Sequence, residues 1–472
     1  MTKVIKLPKM TIDRSQLLHL ARFFSKSDGC CFLYAGKAEP NSSSTFSFLC
    51  LFPYETIVIT PNLQRYEQGK RTIALSKEAN PWDGLKRLFP RFNKLHSTPE
   101  WVGFFSYEMG AYSDQEMHCA YTPAKTPDSY FQRSALTLKV DHITNCAELL
   151  FEESALEFLE EEFRGCVEAL LDPDFWPDLL EVCISDDSTD SEEIPFTFES
   201  FESQESYSKK IQQIQEWISA GDVYQVNLSQ QFLLNGKKDP YKIFETLAQN
   251  NPAPFSAFMN FKDYTIISSS PESFLKKKQG LLETRPIKGT APRGKSAEED
   301  AHNREMLLNS PKEKAELLMI VDLMRNDLGK ISEPGSVNVS KIWECETYTN
   351  VFHLVSTICS TPIPTLDSLD LIRSCFPGGS ITGCPKLRAI DAISLLEKRP
   401  RGIYTGSIGY FAGNGDFDFN IAIRTITYCE GKVDVQLGGG IVIDSDPDRE
   451  YAETFHKGAS IFKALGVTHD FL

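Results

Sequence analysis

Two pairs of glutamates have a spacing that suits metal-dependent chemistry. Glu313 and Glu316 lie three residues apart in one predicted helix, and Glu450 and Glu453 lie three residues apart in another. Residues at this spacing share a helix face, so each helix would project two carboxylates in one direction. Four converging carboxylates repel one another unless a cation lies between them, and oxygen ligands without histidine or cysteine favour Mg²⁺ over zinc. The alternative for either pair alone is an ordinary solvated charged face.

A lysine and a further glutamate could supply a nucleophile and an acid. Lys288 lies beside Gly289 in a loop-like run, and Glu272 follows Pro271 at the end of a predicted strand. In a reaction, Lys288 would be an amine nucleophile, and Glu272 an acid/base group whose pKa is raised by burial or by neighbouring acids. Glu272 precedes Lys288 by 16 residues, enough for a hairpin that returns the chain to one place. The alternatives are a solvated surface lysine and a simple turn at Pro271.

Two glycine-rich runs could receive an anionic ligand. Gly438–Gly440 follows a predicted strand and offers backbone N–H groups that a carboxylate can approach closely. Residues 377–386 precede a predicted helix, so their N–H groups and Thr382 are also candidates, although the spacing is not that of a P-loop. Tyr404 and Arg424, near the ends of predicted strands, would clamp a carboxylate. Glycine runs also make β-bulges, and structural ion pairing is the alternative for Arg424.

The composition is that of a folded protein with an acidic surface. The chain has 472 residues, 41% hydrophobic and 24% charged, which suits two domains or one large two-layer domain. A net charge of −16 argues against non-specific binding to nucleic acid or to anionic membranes, which needs clustered basic residues. No apolar run suits a membrane span or a secretory signal, and the 12 cysteines show no zinc-like or paired spacing. These features predict a cytoplasmic protein with reduced cysteines.

The elements that must position the candidate residues are mixed helices and strands. Helices are predicted over 205–220, 312–328, 386–396 and 449–465, and strands over 56–60, 135–140, 265–270, 406–411, 421–428 and 433–437. Helical periodicity also covers 146–171. The acidic, serine-rich stretch 172–200 cannot bury much and is predicted to be a solvated connector. The order of the elements is too irregular for a plain series of βαβ units.

Taken together, the motifs resemble those of the chorismate-utilising enzymes, which include anthranilate, aminodeoxychorismate, isochorismate and salicylate synthases. The matching runs occur in order within residues 205–467, and the first 170 residues match only loosely. The runs are 221–229 (GDVYQVNLS), 251–255 (NPAPF), 270–274 (SPESF), 285–290 (RPIKGT), 315–328 (AELLMIVDLMRNDL), 353–356 (HLVS), 381–389 (ITGCPKLRA) and 438–442 (GGGIV). So many ordered matches make the resemblance strong.

The resemblance implies an α+β fold of two packed antiparallel β-sheets with helices on the outside. Residues 1–171 would form the N-terminal part of this fold, 172–200 the connector, and 201–472 the chorismate-binding catalytic part.

The resemblance also assigns roles to residues of the second half. Mg²⁺ would be held by Glu316 and Glu453, with Glu313 and Glu450 supporting through water. The carboxylates of chorismate would be received by Tyr404, Arg424, Lys457 and the amides of Gly438, Gly439 and Gly440, while His353 and Thr382 would line the ring pocket.

Two positions select the reaction within the family. Relatives that use water as nucleophile carry Lys where Gln225 stands, so isochorismate and salicylate formation are disfavoured. Anthranilate synthases typically carry Ala where Lys288 stands, whereas Lys is typical of aminodeoxychorismate synthases. The resemblance therefore implies component I of aminodeoxychorismate synthase, which serves para-aminobenzoate and folate biosynthesis. Lys288 would attack C2 of chorismate while Glu272 protonates the departing C4 hydroxyl, and ammonia would then attack C4.

The same resemblance implies a source of ammonia outside this chain. No Cys lies in a G-x-C-x-G elbow, so ammonia is expected from a separate glutaminase (amidotransferase) subunit or from solution. Two alternatives stay open. One is an anthranilate synthase large subunit, and the other is a non-catalytic regulatory subunit that binds chorismate or tryptophan. The intact carboxylate set and Glu272 argue against the second.

Overall fold

Antiparallel strands form much of the ordered chain, and helices cover them. The computed structural model describes residues 2–36, 45–90, 92, 96–114, 124, 126–185, 193–348 and 351–467. The strands are β1 Thr2–Thr11, β2 Cys31–Tyr34, β3 Phe46–Thr60, β4 Leu63–Gln68, β5 Arg71–Ser76, β6 Pro99–Phe105, β7 Ser129–Asp141, β8 Cys146–Glu152, β9 Ile194–Ser200, β10 Gln225–Lys237, β11 Phe255–Asn260, β12 Thr265–Ser270, β13 Ser273–Lys278, β14 Leu281–Arg285, β15 Ile287–Pro292, β16 Asn338–Thr347, β17 Val351–Ser360, β18 Gly383–Cys384, β19 Ser407–Ala412, β20 Phe417–Asn420, β21 Thr425–Cys429 and β22 Lys432–Ile441.

The helices lie on the outside of these strands. The α-helices are α1 Arg14–Phe24, α2 Pro81–Leu88, α3 Glu161–Leu170, α4 Trp176–Ser185, α5 Gln204–Ala220, α6 Pro240–Asn250, α7 Ala297–Asn309, α8 Pro311–Gly329, α9 Ser368–Cys375, α10 Lys386–Glu397 and α11 Pro447–Leu465. Short 3₁₀ helices cover Tyr107–Tyr112, Glu153–Glu157 and Gly379–Ile381. Helix α11 packs against α5, α6 and β22, whereas α8 packs against β15 and β17. No helix in the described ranges combines the length and the apolar character needed to cross a bilayer.

Hydrogen bonds join the described strands into one continuous antiparallel network. From one edge to the other, the order is β9-β10-β22-β21-β12-β11-β2-β3-β7-β6-β19-β20-β13-β14-β17-β16. The pairs β2–β11 and β6–β19 each join a strand from before α4 to a strand from after it. Both parts of the chain therefore build the same fold.

The long strands β3 and β7 connect the two layers of this network. In β3, Leu49 and Leu51 enter one hydrophobic core, whereas Ile57 and Ile59 enter another. Between them, Phe52 has a φ of 58°, and the register with β7 shifts between Pro53 and Glu55. A β-bulge of this kind bends a strand, so one strand can serve two layers.

A third core fills the space between the layers. Cys31 of β2 and Met259 of β11 belong to it from one layer, and Phe104 of β6 and Ile408 of β19 from the other. The predicted α+β class, with two packed antiparallel layers and outer helices, is confirmed, and the layers share hydrogen-bonded strands at β3 and β7.

The helix predictions from residue 205 onwards are confirmed, and the helix ends follow local signals. Helix α5 begins after Ser203, whose hydroxyl accepts from the Ser206 N–H, and it ends at Gly221 with a φ of 83°. Helices α8, α10 and α11 cover the predicted stretches.

Two predictions in the first half were wrong. Residues 146–152 form strand β8, because Ala147, Leu149 and Phe151 alternate into a core while β8 pairs with β1 and β7. The helix that was predicted from 146 begins only at Glu161. The stretch 172–200 is not simply a solvated connector, since α4 buries Trp176 and β9 pairs with β10. Its most acidic part, 186–192, lies outside the described residues.

Two predictions, one for residues 421–428 and one for Gly438–Gly440, also need correction. The strand predicted over 421–428 begins only at Thr425, because Arg424 has a φ of 51°, which breaks the extended backbone. Gly438–Gly440 does not follow a strand but belongs to β22, where it pairs with Leu228 and its neighbours in β10. Strand β21 pairs with β22 only as far as Val435.

Candidate active site

The hairpin of β13 and β14 returns the chain from Glu272 to Lys288. Ser273 pairs with Arg285 at the open end of this hairpin. The Ile287 N–H therefore reaches the carboxyl group of Glu272 and donates to it. Lys288 follows as the second residue of β15. The return of the chain that was predicted from the spacing is confirmed.

Glu272 is a buried carboxyl group beside a cation. Only 6% of the residue is exposed, and burial raises its pKa to about 7. The Ser380 hydroxyl, the charge of Lys288 and the Ile287 N–H each lower this pKa without offsetting the effect of burial. A carboxyl group with a pKa near neutrality can both give and take a proton, as a general acid/base must. The sequence prediction missed Ser380, and its only signal was the glycine-rich run around it.

Lys288 points towards helix α8. Its Nζ lies 3.5 Å from Oε2 of Glu316, and the side chain is 20% exposed. The neighbouring Gly289 has a φ of 75°, and a Cβ there would lie 3.0 Å from Oε2 of Glu313. Helix α8 starts after Ser310, whose hydroxyl accepts from the Glu313 N–H at 3.3 Å and so fixes which residues of α8 face β15. Lys288 is thus a largely buried amine against the first acid pair.

Helix α11 brings the second acid pair to the same place. Oε1 of Glu450 accepts from the Ser445 hydroxyl at 2.7 Å. Nζ of Lys457 lies 2.7 Å from Oε1 of Glu453 and donates to the Gly438 carbonyl at 3.0 Å. Lys457 therefore ties the acids of α11 to the glycine run of β22.

The two helices place their acids within reach of each other's charge. Burial raises the pKa of Glu313, and the charges of Glu316 and Glu453 add to the rise. Burial also raises the pKa of Glu450, again with a contribution from Glu453. Burial acts in the same sense on Glu453, but the cations around it, Lys457 above all, outweigh burial and lower its pKa. The raised pKa values of Glu313 and Glu450 thus come mainly from burial, and the repulsion between the acids adds to them.

The donor set suits Mg²⁺ in kind, but it is not assembled into a coordination sphere. Mg²⁺ prefers oxygen ligands, and the two helices offer carboxylates. Among the described residues, however, no group of three or more Asp, Glu, His or Cys side chains is arranged to hold a metal ion. Lys288 instead lies beside Glu316, and Lys457 pairs with Glu453. Magnesium binding therefore stays a prediction.

Gln225 and the glycine run form the wall next to Lys288. A Cβ on Gly440 would lie 2.6 Å from Nε2 of Gln225 and 3.1 Å from Nζ of Lys288, so a larger residue there would displace these side chains. A Cβ on Gly439 would lie 3.3 Å from Oε2 of Glu450. Gln225 is fully buried, yet its amide N and O have no hydrogen-bond partner in the part of the chain that the structure describes. An unpaired buried amide costs about 1–3 kcal/mol, so these two atoms are suited to a bound ligand.

A narrow cleft next to Glu272 contains His353 and Arg424. Tyr348 and Pro271 are among the other residues that line it, and Nδ1 of His353 lies 3.0 Å from the Thr290 hydroxyl. Burial, together with the charge of Arg424, lowers the pKa of His353 to about 4, so the imidazole is neutral near pH 7. Burial lowers the pKa of Arg424, and no carboxylate in the described ranges counteracts it. A buried guanidinium of this kind can receive an anion.

Neither Thr382 nor Tyr404 lines the cleft that contains His353 and Arg424. The Thr382 hydroxyl is fully buried and donates to carbonyl groups of its own loop, at 3.1 Å for Gly378. Tyr404 borders a larger cavity, with the guanidinium of Arg401 5.7 Å from the centre of its ring. Burial raises the pKa of Tyr404 to about 12. The roles of both residues in binding stay predictions.

Comparison with known proteins identifies what this arrangement resembles. The chain matches the chorismate binding enzyme family over residues 30–463. Aminodeoxychorismate synthase component 1 of Bacillus subtilis is 37% identical over 449 residues, which cover 92% of each protein. Anthranilate synthase component 1 of Aquifex aeolicus is 34% identical over 416 residues, 86% of this chain and 83% of that protein. Among solved structures, anthranilate synthase component I from Streptococcus pneumoniae matches with a TM-score of 0.74 and 30% identity, covering 90% of this chain and 93% of that one.

Proposed function

The chain belongs to the chorismate binding enzyme family, and we propose that it converts chorismate and ammonia into 4-amino-4-deoxychorismate, as component 1 of an aminodeoxychorismate synthase. The observation that carries this proposal is the placement of Lys288. Its amine lies between Glu316, the buried Glu272 and the wall formed by Gly440. An ordinary surface lysine would not have all three of these neighbours.

Two successive displacements account for both Lys288 and Glu272. Lys288 first gives its ammonium proton to a nearby base, and its amine then attacks C2 of chorismate. The ring double bonds shift, and the C4–O bond breaks as Glu272 protonates the departing hydroxyl. Ammonia then attacks C4, the double bonds shift back, and the C2–N bond to Lys288 breaks. Glu272 takes up a proton from the incoming ammonia, so the net change is loss of water and gain of an amine at C4. A carboxyl group with a pKa of about 7 suits both transfers.

Mg²⁺ is part of this proposal, with Glu316 and Glu453 as its ligands and Glu313 and Glu450 in support. When bound, it would hold the ring carboxylate of chorismate and draw electron density from the ring. The amide of Gln225, which has no hydrogen-bond partner among the described residues, and the buried guanidinium of Arg424 suit the polar groups of the same substrate.

The proposal includes a separate amidotransferase subunit that supplies ammonia. The relative from Bacillus subtilis is named component 1 of its synthase, a name that implies a second component. A cytoplasmic location and a place in para-aminobenzoate and folate biosynthesis complete the proposal.

Anthranilate formation is the second candidate function. Its support is the similarity to two anthranilate synthase components. The inward amine of Lys288 argues against it, because direct attack of ammonia on C2 needs that position free of a nucleophile.

The test is incubation of the protein with chorismate, Mg²⁺ and ammonium, followed by chromatography and mass spectrometry. The expected product is aminodeoxychorismate, without fluorescent anthranilate or pyruvate. Formation of anthranilate with pyruvate would overturn the proposal. An absence of turnover, even with a cognate glutaminase, would favour a regulatory chorismate-binding subunit.

A covalent adduct provides a second test of the same mechanism. In a stalled reaction, the mass of the protein should increase by the mass of one chorismate molecule less one water molecule. Peptide mapping should locate this increase at Lys288. The matched control is Lys312, which also faces Glu316 at 3.9 Å but is 70% exposed. Lys288→Ala should abolish the adduct, and Lys312→Ala should leave it unchanged.

A further inference from the structure

A fully buried ion pair lies behind the candidate site. Glu397, the last residue of α10, and Arg401 are each 1% exposed in their side chains. Nε and Nη2 of Arg401 donate to the two carboxylate oxygens of Glu397 at 2.9 and 2.8 Å. A bidentate pair of this kind fixes the plane of the guanidinium.

The remaining N–H groups of Arg401 hold three separate segments. Nη1 donates to the Ile381 carbonyl at 3.1 Å and to the Thr405 hydroxyl oxygen at 3.2 Å. Nη2 also donates to the Asn227 carbonyl at 2.8 Å. A guanidinium has five N–H donors, so all of them are used and none is left for a substrate.

Each held segment carries one residue of the candidate site. Thr382 directly follows the first acceptor, and Tyr404 directly precedes the second. Gln225 lies two residues before the third acceptor, on the same face of β10. The guanidinium therefore connects three segments that are far apart in sequence and that each carry one predicted site residue.

Further hydrogen bonds hold the ion pair of Glu397 and Arg401 in place. Oε1 of Glu397 accepts from both the N–H and the hydroxyl of Ser229, each at 2.8 Å. The backbone N–H of Arg401 donates to Oε1 of Glu108 at 2.8 Å. Burying two charges costs about as much as their attraction returns, so a buried ion pair is weak evidence for stability. The buried pair of Glu397 and Arg401 is therefore better explained by the fixed position that it gives the guanidinium than by a gain in stability.

We propose that Arg401 is a positioning residue that holds the segments of Gln225, Thr382 and Tyr404 at the spacing needed to bind chorismate productively. The inference rests on the proposed function, because it assigns these segments to the chorismate pocket. Lysine cannot take over this role, since it has three donors on a flexible stem and no planar fork.

The first test is Arg401→Lys, assayed with chorismate, ammonium and Mg²⁺. We expect kcat/KM for chorismate to fall about 100-fold, the loss that follows a displacement of about 1 Å in a substrate wall. The Mg²⁺ concentration for half-maximal rate should stay the same, because the four glutamates lie on α8 and α11, which Arg401 does not hold. General loosening of the fold would instead shift both quantities.

Arg133→Lys is the matched control. Arg133 is 14% exposed and pairs with Glu55 and Glu100, on strands that carry no predicted site residue. The substitution should lower the thermal stability and leave kcat/KM unchanged. Equal losses of kcat/KM in the two lysine variants, at equal loss of stability, would overturn the proposal.

A second pair of variants decides the question if Arg401→Lys does not fold. The Thr405 hydroxyl accepts from Arg401 and donates to the Tyr404 carbonyl at 2.6 Å. Thr405→Val should lower kcat/KM about tenfold, the equivalent of one lost hydrogen bond, and Thr405→Ser should restore it. Equal activity in the valine and serine variants would refute the role of Arg401. An inactive wild-type protein would instead refute the proposed function, before any variant is compared.

Discussion

Replacing Glu272 by glutamine should make the protein more stable at alkaline pH while it removes activity. Burial raises the pKa of this carboxyl group from its ordinary 4.5 to about 7. The native protein therefore keeps a proton on Glu272 over a range in which the unfolded chain has lost it. Because the native state binds more protons there, the free energy of unfolding falls as the pH rises from about 4.5 to 7.

The size of this effect follows from the pKa difference. At 1.36 kcal/mol for each pKa unit, the wild-type protein gives up about 3 kcal/mol by the time the pH exceeds 7. Glutamine has nearly the same shape and stays neutral at every pH. Glu272→Gln should thus match the wild type near pH 4 and exceed it by about 3 kcal/mol near pH 8.

The assay is urea unfolding of both proteins across this pH range. Glu168→Gln serves as the control, because Glu168 is an exposed residue of α3 and its replacement should leave the pH dependence unchanged. The activity of the wild type should also fall above about pH 7, where Glu272 loses the proton that the departing hydroxyl needs. Parallel stability curves for the wild type and Glu272→Gln would refute the argument that Glu272 is held neutral by burial.

Three further substitutions test the rest of the site. Lys288→Ala should lower the rate of amination at C4 by on the order of 10³-fold or more, as measured by product analysis, because the nucleophile is gone; an unchanged rate would exclude the lysine mechanism. Gly440→Ala places a methyl group against Gln225 and Lys288 and should lower kcat/KM about 100-fold, whereas Gly165→Ala, with open space around it in α3, should have no effect. Glu316→Gln should raise the Mg²⁺ concentration for half-maximal activity at least about tenfold in a metal titration, and an equal rise in a variant of an exposed glutamate in α7 would contradict this.

The sequence predicted the parts of the site that depend on local rules. Spacing of three on an amphipathic helix was sufficient to pair Glu313 with Glu316, since helix geometry alone puts both on one face. The hairpin between Glu272 and Lys288 followed from the distance along the chain and from the strand that ends at Pro271. Both arguments use local features of the sequence that tertiary packing does not change.

The contacts that cross the fold could not be predicted in this way. Ser380 reaches Glu272 only because the fold places the 3₁₀ turn Gly379–Ile381 beside this carboxyl group, which no local pattern encodes. The error at 146–171 has a similar cause, since pairing of β8 with β7 on one side and β1 on the other overrides a helical pattern. The buried Arg401 was missed because a charged residue that follows a proline in a turn is ordinarily a surface residue.

The pairs β2–β11 and β6–β19 have a consequence for any attempt to divide this protein into pieces. A piece that stops in the stretch 186–192 would leave β2 and β6 as open strand edges, and the other piece would leave β11 and β19 open. Open edges invite association with other chains, so each piece alone should aggregate, whereas the two co-expressed pieces should reassemble through their proper edges. Gel filtration of the separate and the combined pieces would measure this fragment complementation. The first piece holds none of the predicted site residues, yet it would act as a template on which the piece that holds them all takes its shape.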